Sequence, residues 1–217
     1  MPTELPSIIP LFPLPNLVLF PGVSVPLRIF EPRYREMVAE VSASHGIIGM
    51  ALLKGDWQEQ YYGQPDIFEV GCAGKISDLV KLPDGRYNIV LDGIDEFRLR
   101  REIRERSYRQ AEIEWNSATP AERECDDETI EGLREVLFSY LGEPALEAWK
   151  TMVEERRLRG ADLVNFLCFH LDVTPIEKQT LLEATRNRAD CLIDVLTFRL
   201  EERRRGGSSG PGSDTVQ

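Results

Sequence analysis

The apolar and polar positions divide the chain into two halves with different periods. The first opens on its most apolar stretch, Ile8–Val41, which carries Pro10, Pro13, Pro15, Pro21 and Pro26. Proline lacks an N–H and fixes φ, so it belongs on edge strands, at bulges or in turns. The stretch predicts short, bent strands at Ile8–Leu11, Leu17–Phe20 and Ser24–Ile29, with Pro21-Gly22 turning between the last two. Pro32 suits the first position of a helix. Tyr34, Met37, Val38 and Val41 then share one helical face. Ile47–Leu53 reads as a buried strand and Lys54–Asp66 as a polar loop holding Trp57, Tyr61 and Tyr62. Phe68–Leu82 is strand-like, with Gly71 and Gly74 as bulge positions. Leu82-Pro83-Asp84-Gly85-Arg86 is a turn, making Ile76–Gly93 a hairpin. Asp92-Gly93 predicts a further turn, and the alternation of Ala111, Ile113 and Trp115 with polar residues a half-buried strand over Tyr108–Trp115. Residues 8–117 thus form a β-rich unit of about six to eight strands with one early helix.

Beyond Asn116–Pro120 the strand signals stop. Glu128–Leu141, Pro144–Arg157, Ala161–Leu171, Pro175–Thr185 and Ala189–Arg204 read as helices, four or five in all, making residues 120–205 a helical bundle. Ala161–Leu171 is apolar almost all round and predicts its central helix. Thr174-Pro175-Ile176-Glu177 has the form of a capping box. The Gly/Ser-rich residues 206–217 predict a disordered tail. The fold class is α+β.

Composition narrows the function. The formal net charge of −11 over 217 residues disfavours general binding to nucleic-acid backbones. No run approaches the roughly 18–20 apolar residues of a membrane span. The N-terminus lacks a basic segment followed by an apolar one, so no signal peptide is expected and the cytoplasm is the expected location. Cys72, Cys125, Cys168 and Cys191 are scattered, without the close pairs of a zinc site or the density of a disulfide framework, and read as buried thiols. Gly71-Cys72-Ala73-Gly74-Lys75-Ile76-Ser77 imitates a phosphate loop, but that pattern requires Gly at the position of Glu69 and Ser or Thr at that of Ile76. A strand with a glycine bulge accounts for it, and no cofactor motif stands elsewhere.

Candidate chemistry is sparse. Cys168 and His170, two apart on an apolar helix, point about 200° from each other and read as core. His45 lies in a loop with no neighbour suited to metal binding. The acidic run Glu122–Glu128 suits a solvated helix entry. No catalytic constellation and no metal site are expected, and a small hydrolase ranks last among the readings. One strip is basic. It carries Arg98, Arg100, Arg101, Arg104, Arg106 and Arg109 against Glu102 and Glu105. It reads as an outward strand face paired with the acidic helices, or as an RNA-binding face, which the lack of interleaved aromatic residues disfavours.

Three groups of residues carry a family resemblance. They are Pro10-Leu11-Phe12-Pro13-Leu14, Leu19-Phe20-Pro21-Gly22 and Pro26-Leu27-Arg28-Ile29-Phe30-Glu31-Pro32-Arg33-Tyr34. Together they resemble the N-terminal substrate-binding domain of the Lon protease family. Val70-Gly71 with Ile76, Leu82-Pro83-Asp84-Gly85 and Asp92-Gly93 with Phe97-Arg98-Leu99 are similar to its later strands. Asp162-Leu163-Val164, Leu171-Asp172, Glu177-Lys178-Gln179 and Leu181-Leu182-Glu183 fit its helical part. The resemblance covers about residues 8–203. It implies a twisted, partly open β-barrel of the pseudouridine-synthase-like (PUA-like) kind, followed by a helical bundle. That barrel class includes RNA-binding members, so the arginine strip is the alternative site.

The resemblance also implies a non-catalytic module that binds unfolded or degron-bearing polypeptides. It would act as an adaptor to a separate protease or as a homo-oligomer, because the chain shows neither the ATPase nor the Ser/Lys proteolytic segments of full-length Lon. Phe12, Phe20, Phe30, Tyr34, Trp57, Tyr61 and Tyr62 are the candidate peptide contacts. They would line an apolar groove or flank an open strand edge. For Phe20, Phe30 and Tyr34 the competing reading is barrel core.

Overall fold

The structure, a computed structural model, describes residues 5–60 and 65–206. Six strands form one mixed sheet: β1 (Ile8–Leu14), β2 (Ser24–Ile29), β3 (Ile47–Leu52), β4 (Val70–Lys81), β5 (Tyr87–Ile103) and β6 (Gln110–Trp115). Helix α1 (Pro32–Ser42) lies between β2 and β3. The strand order is β2-β5-β4-β3-β1-β6, and the second half of β5 also pairs with β6. The sheet therefore curls back on itself at β6 and stays open along β2. Ile9, Leu11, Ile47, Ala73, Phe97, Ala111 and Ile113, drawn from β1, β3, β4, β5 and β6, form a small core of their own.

β1 runs through Pro10 and on past the expected end at Leu11 through Pro13. Leu11 N–H donates to Arg109 O and Ile113 N–H to Ser7 O, each at 2.8 Å, so odd-numbered residues of β1 face β6. Pro10 lacks its donor on the β3 side, where pairing starts only at Leu11. Pro13 lacks its donor on the β6 side, where pairing has ended at Pro10. Each proline thus sits where no partner strand needs its N–H. Leu17–Phe20, expected as a strand, belongs to no strand of the sheet. Val18, Leu19 and Phe20 are all buried, which suits a segment that crosses the core rather than one that lies in a sheet.

The turn expected at Asp92-Gly93 does not form. Gly93 sits inside β5, and a Cβ there would lie 2.1 Å from Phe20 O. Close backbone approach, not a reversal, is the reason for the glycine. The hairpin of β4 and β5 through Leu82–Arg86 forms as expected. The 71–77 segment is part of β4, with a register shift between Ala73 and Gly74.

The helical half holds α2 (Pro120–Arg123), α3 (Asp127–Leu141), α4 (Glu143–Arg156), α5 (Gly160–His170), α6 (Pro175–Glu183) and α7 (Arg188–Gly206). Thr174 and Glu177 make the capping box of α6. Five consecutive residues of α5, Val164 to Cys168, are buried, as an all-round apolar helix requires. One large core joins the halves. It runs from Phe20, Met37 and Ile48 through Leu91 to Leu133, Leu167 and Leu192. A buried polar cluster pins the same junction. Arg188, at the start of α7, reaches Glu96 in β5 and Asn165 in α5, and Asn165 donates to Pro21 O at 3.1 Å. The tail expected at 206–217 lies, beyond Gly206, outside the described residues. Among the described residues no helix is long and apolar enough to cross a membrane.

Candidate functional site

The aromatic residues picked out in the sequence do not gather at one surface. Phe12 and Tyr34 are buried, their ring centroids 4.4 Å apart. Phe20 is fully buried under the Arg188 guanidinium, 5.4 Å from its ring centroid. These three are core. Phe30 follows β2 and is 61% exposed. Trp57 is half-buried in a single 3-10 turn, Trp57–Gln60. Tyr61 and Tyr62 lie outside the described residues.

The sheet edge is a poor template for an added strand. Gly93 N–H donates to Val23 O (2.8 Å), so odd-numbered residues of β2 face β5. Pro26 therefore turns its ring nitrogen to the open edge and withholds a donor there, a common protection of edge strands.

The arginine strip is mostly neutralised. Arg98 pairs with Glu69 (3.3 Å), Arg101 with Glu112 (3.2 Å) and Arg100 with Glu114. Arg109 holds Glu102 through two hydrogen bonds and donates to Pro65 O. Arg106 reaches Glu40 of α1 (3.4 Å). Two of these five partners, Glu112 and Glu114, are cross-strand acids of β6, and only Glu40, on α1, lies on a helix, so the acidic helices expected as partners do not supply them. Arg104 is exposed, with no ion pair to a described residue.

Of the cysteines expected as buried thiols, Cys72 and Cys168 are buried, whereas Cys125 and Cys191 are half-buried, because each lies where the packing of the helices leaves it partly open. Burial pushes the Cys168 thiol up to about 12, which removes the thiolate a nucleophile needs. His170, expected in the core, is instead exposed at the end of α5, edge-on against Phe166 and Phe169; partial desolvation, with Lys178 and Arg156 nearby, holds its pKa below the usual value. His45 Nδ1 accepts from Ile47 N–H (3.0 Å). Within the acidic run, Asp126 caps α3 by accepting from Thr129 N–H, and Glu122 pairs with Arg186.

A wide surface with room for a ligand lies in the helical half. α3 and α4 diverge from Gly142 and, with the start of α5, enclose a groove of about 1340 Å³. Its apolar lining includes Ile130, Leu133 and Leu137 of α3 and Leu163 and Leu167 of α5. From α4 come Leu146, Trp149 and Val153, at i, i+3 and i+7. α3 packs its other face on α7, where Tyr140 is buried. None of α4's described side chains is buried, so its apolar stripe stays half covered. The Trp149 ring meets Phe166 edge-on at 5.7 Å, which leaves part of the indole facing the groove. The rim mixes Glu131, Glu135 and Glu154 with Arg134, Lys150 and Arg157. The volume exceeds the roughly 300–1,000 Å³ of common small-molecule pockets. The sequence contained this stripe within a predicted helix, but spacing does not tell a covered stripe from an open one.

A family model described as the ATP-dependent protease La (LON) substrate-binding domain matches residues 8–197. "Lon protease 2" of Syntrophobacter fumaroxidans is 29% identical over 200 residues, covering 89% of this chain and 24% of that protein. "Lon protease" of Flavobacterium johnsoniae is 27% identical over 182 residues, covering 82% and 22%. The chain thus spans about a quarter of the length of the curated relatives it matches. The N-terminal domain of Mycobacterium avium complex Lon protease superposes with a TM-score of 0.65 at 19% identity, covering 88% of this chain and 98% of that one. The Lon N-terminal domain protein from Xanthomonas campestris gives 0.61 at 23% identity, with the same coverage. At these identities the two structures speak for the fold.

Proposed function

The chain belongs to the family of ATP-dependent protease La (Lon) substrate-binding domains, and from that membership we propose that it recognises polypeptide substrates without catalysing their cleavage. Its clients are unfolded or degron-bearing chains, whose apolar segments lie in the groove between α3 and α4. A separate ATPase–protease is the partner this role implies, with the domain as an adaptor.

The observation that supports the groove is the half-covered stripe of Leu146, Trp149 and Val153 facing the apolar wall of α3. Large apolar surfaces rimmed by polar residues mark interaction sites. An unfolded chain offers apolar side chains without fixed shape, and a wide groove of mixed rim charge accepts many such segments. The aromatic residues first suspected contribute less, because Phe12, Phe20 and Tyr34 are spent on the core.

Reduced, carboxymethylated α-lactalbumin tests the proposal by fluorescence anisotropy, with the native, disulfide-bonded form as control. The unfolded form binds and the native form does not. Trp149→Ala weakens binding by about tenfold or more, the effect of losing an aromatic anchor. Val153→Glu abolishes it by placing an unpaired charge in the apolar lining. Equal binding by both variants and the parent removes the groove from the function. No binding by the parent removes the function itself.

A further inference from the structure

A second, smaller pocket lies between α1 and the β4–β5 hairpin. It has a volume of about 330 Å³ and is lined by Pro32, Arg35 and Glu36 of α1 with Lys81, Gly85 and Tyr87 of the β4–β5 hairpin. We infer that this pocket binds the terminal α-carboxylate of a polypeptide, its last side chain lying against Tyr87. The inference rests on the reading of the chain as a polypeptide-recognition domain and adds the part of the client that is read.

The charge balance points to a single carboxylate. Arg35 has no ion pair with a described residue, and neither has Lys81. Asp84, the nearest acid of the turn, is held by Arg86, both through its side chain and by accepting Arg86 N–H at 3.0 Å. Glu36 lines the pocket and already accepts from Ser107 Oγ at 2.7 Å. Two cations and one carboxylate leave one net positive charge, which suits a monoanion and penalises a phosphate dianion. This local excess stands out on a chain of net charge −11.

The geometry favours the same ligand. Gly85 has φ of +81°, and a Cβ there would lie 2.2 Å from Arg35 Nη2. Arg35 therefore brings the Nη2 end of its guanidinium against the turn, and that group's fork of donors matches the two oxygens of a carboxylate. Lys81 Nζ sits over the Tyr87 ring, 5.7 Å from its centroid, beside a largely buried aromatic wall. The volume is at the low end for ligand pockets, enough for a terminal residue rather than a longer segment.

The test uses the full chain and a fluorescein-labelled pentapeptide, Gly-Ser-Gly-Ser-Leu, as the free acid and as the C-terminal amide. The acid binds at least tenfold more tightly than the amide, as expected for a charge-assisted contact. Arg35→Gln and Lys81→Gln each remove that preference, and Glu36→Gln enlarges it. Inorganic phosphate competes only weakly. Circular dichroism melts show that these surface variants stay folded. Equal binding of acid and amide overturns the inference, as does an unchanged preference in Arg35→Gln. Phosphate competing as well as the acid peptide overturns it in favour of a free oxyanion site. If the pentapeptide fails to bind while reduced α-lactalbumin still binds, the pocket is overturned and the groove stands. Val153→Glu leaves the acid-over-amide ratio intact, and loss of the ratio in that variant assigns the preference to the groove instead.

Discussion

Replacing Arg188 by Met should uncouple the sheet from the helical half. Arg188 is 7% exposed and donates to four acceptors: Leu181 O (2.8 Å), Leu182 O (2.9 Å), Asn165 Oδ1 and Glu96 Oε1. Glu96 is 1% exposed. Methionine fills much of the space and removes every donor. Breaking a buried pair from one side typically costs about 3–5 kcal/mol, because the remaining charge is left unpaired. Two groups soften the loss at Glu96: Asn116 Nδ2 still donates to it, and Arg123 stays 3.7 Å away. The carbonyls of Leu181 and Leu182 lose their donor with nothing to replace it. A cost near 3 kcal/mol is therefore the expectation, and it lowers Tm by roughly 6–12 °C for a domain of this size. Urea unfolding followed by far- and near-ultraviolet circular dichroism measures it. The double variant Arg188→Met/Glu96→Leu should recover about 1–2 kcal/mol, since no buried carboxylate remains to be compensated. A cost below about 1 kcal/mol for Arg188→Met, or no recovery in the double variant, would refute the idea that a buried ion pair holds this junction.

Two further predictions concern the helices. The Arg199 guanidinium, with hydrogen bonds from Thr174, holds the Glu177 carboxyl down from 4.5 to about 2. A depressed carboxylate contributes stability above its unfolded pKa and loses it as pH falls through the folded value, so Glu177→Gln should flatten the loss of Tm between about pH 4.5 and 2. Arg157 is the one non-glycine with positive φ among the described residues, at 55°. Arg157→Gly relieves a left-handed conformation at a cost in unfolded-state entropy, and calorimetry should show a net gain of up to about 1 kcal/mol.

Much of the fold could be read from the chain because the signals were local. Tyr34, Met37, Val38 and Val41 are the buried face of α1 as their spacing demanded. The 82–86 turn, the capping box at Thr174 and the all-round burial of α5 likewise depend on neighbours within a few residues. The errors arose where a distant partner decides. Asp92-Gly93 looks like a turn until Phe20 O, more than seventy residues upstream, occupies the space a side chain would need. Pro10 and Pro13 look like strand breakers until the staggered pairing of β1 leaves their missing donors without a claimant. Phe12, Phe20 and Tyr34 could face either way, because an apolar segment with five prolines has no single period from which to assign an inner face. The groove was hidden for a similar reason: the α4 stripe is plain in the sequence, but what covers it depends on where α3 ends and how Gly142 turns the chain.

The two walls of that groove are built differently, and the difference bears on which clients fit. The α3 wall is fixed from behind. α3 packs on α7, the root of α7 is tied into the sheet through Arg188, and Arg203 near its far end donates to Tyr140 O at 3.1 Å. The α5 floor is fixed by the same cluster, through Asn165. The α4 wall has no such anchor. It is bounded by Gly142 and Arg157, both at positive φ, and none of its described side chains is buried. Local stability follows buried apolar contact, so α4 should be the part of the bundle that yields first. A groove with one rigid wall and one yielding wall keeps its apolar lining while changing its width. That suits a domain whose proposed ligands share apolar character and lack a common shape. A single well-shaped partner would be served better by two rigid walls, since preorganisation raises affinity by reducing what binding must order.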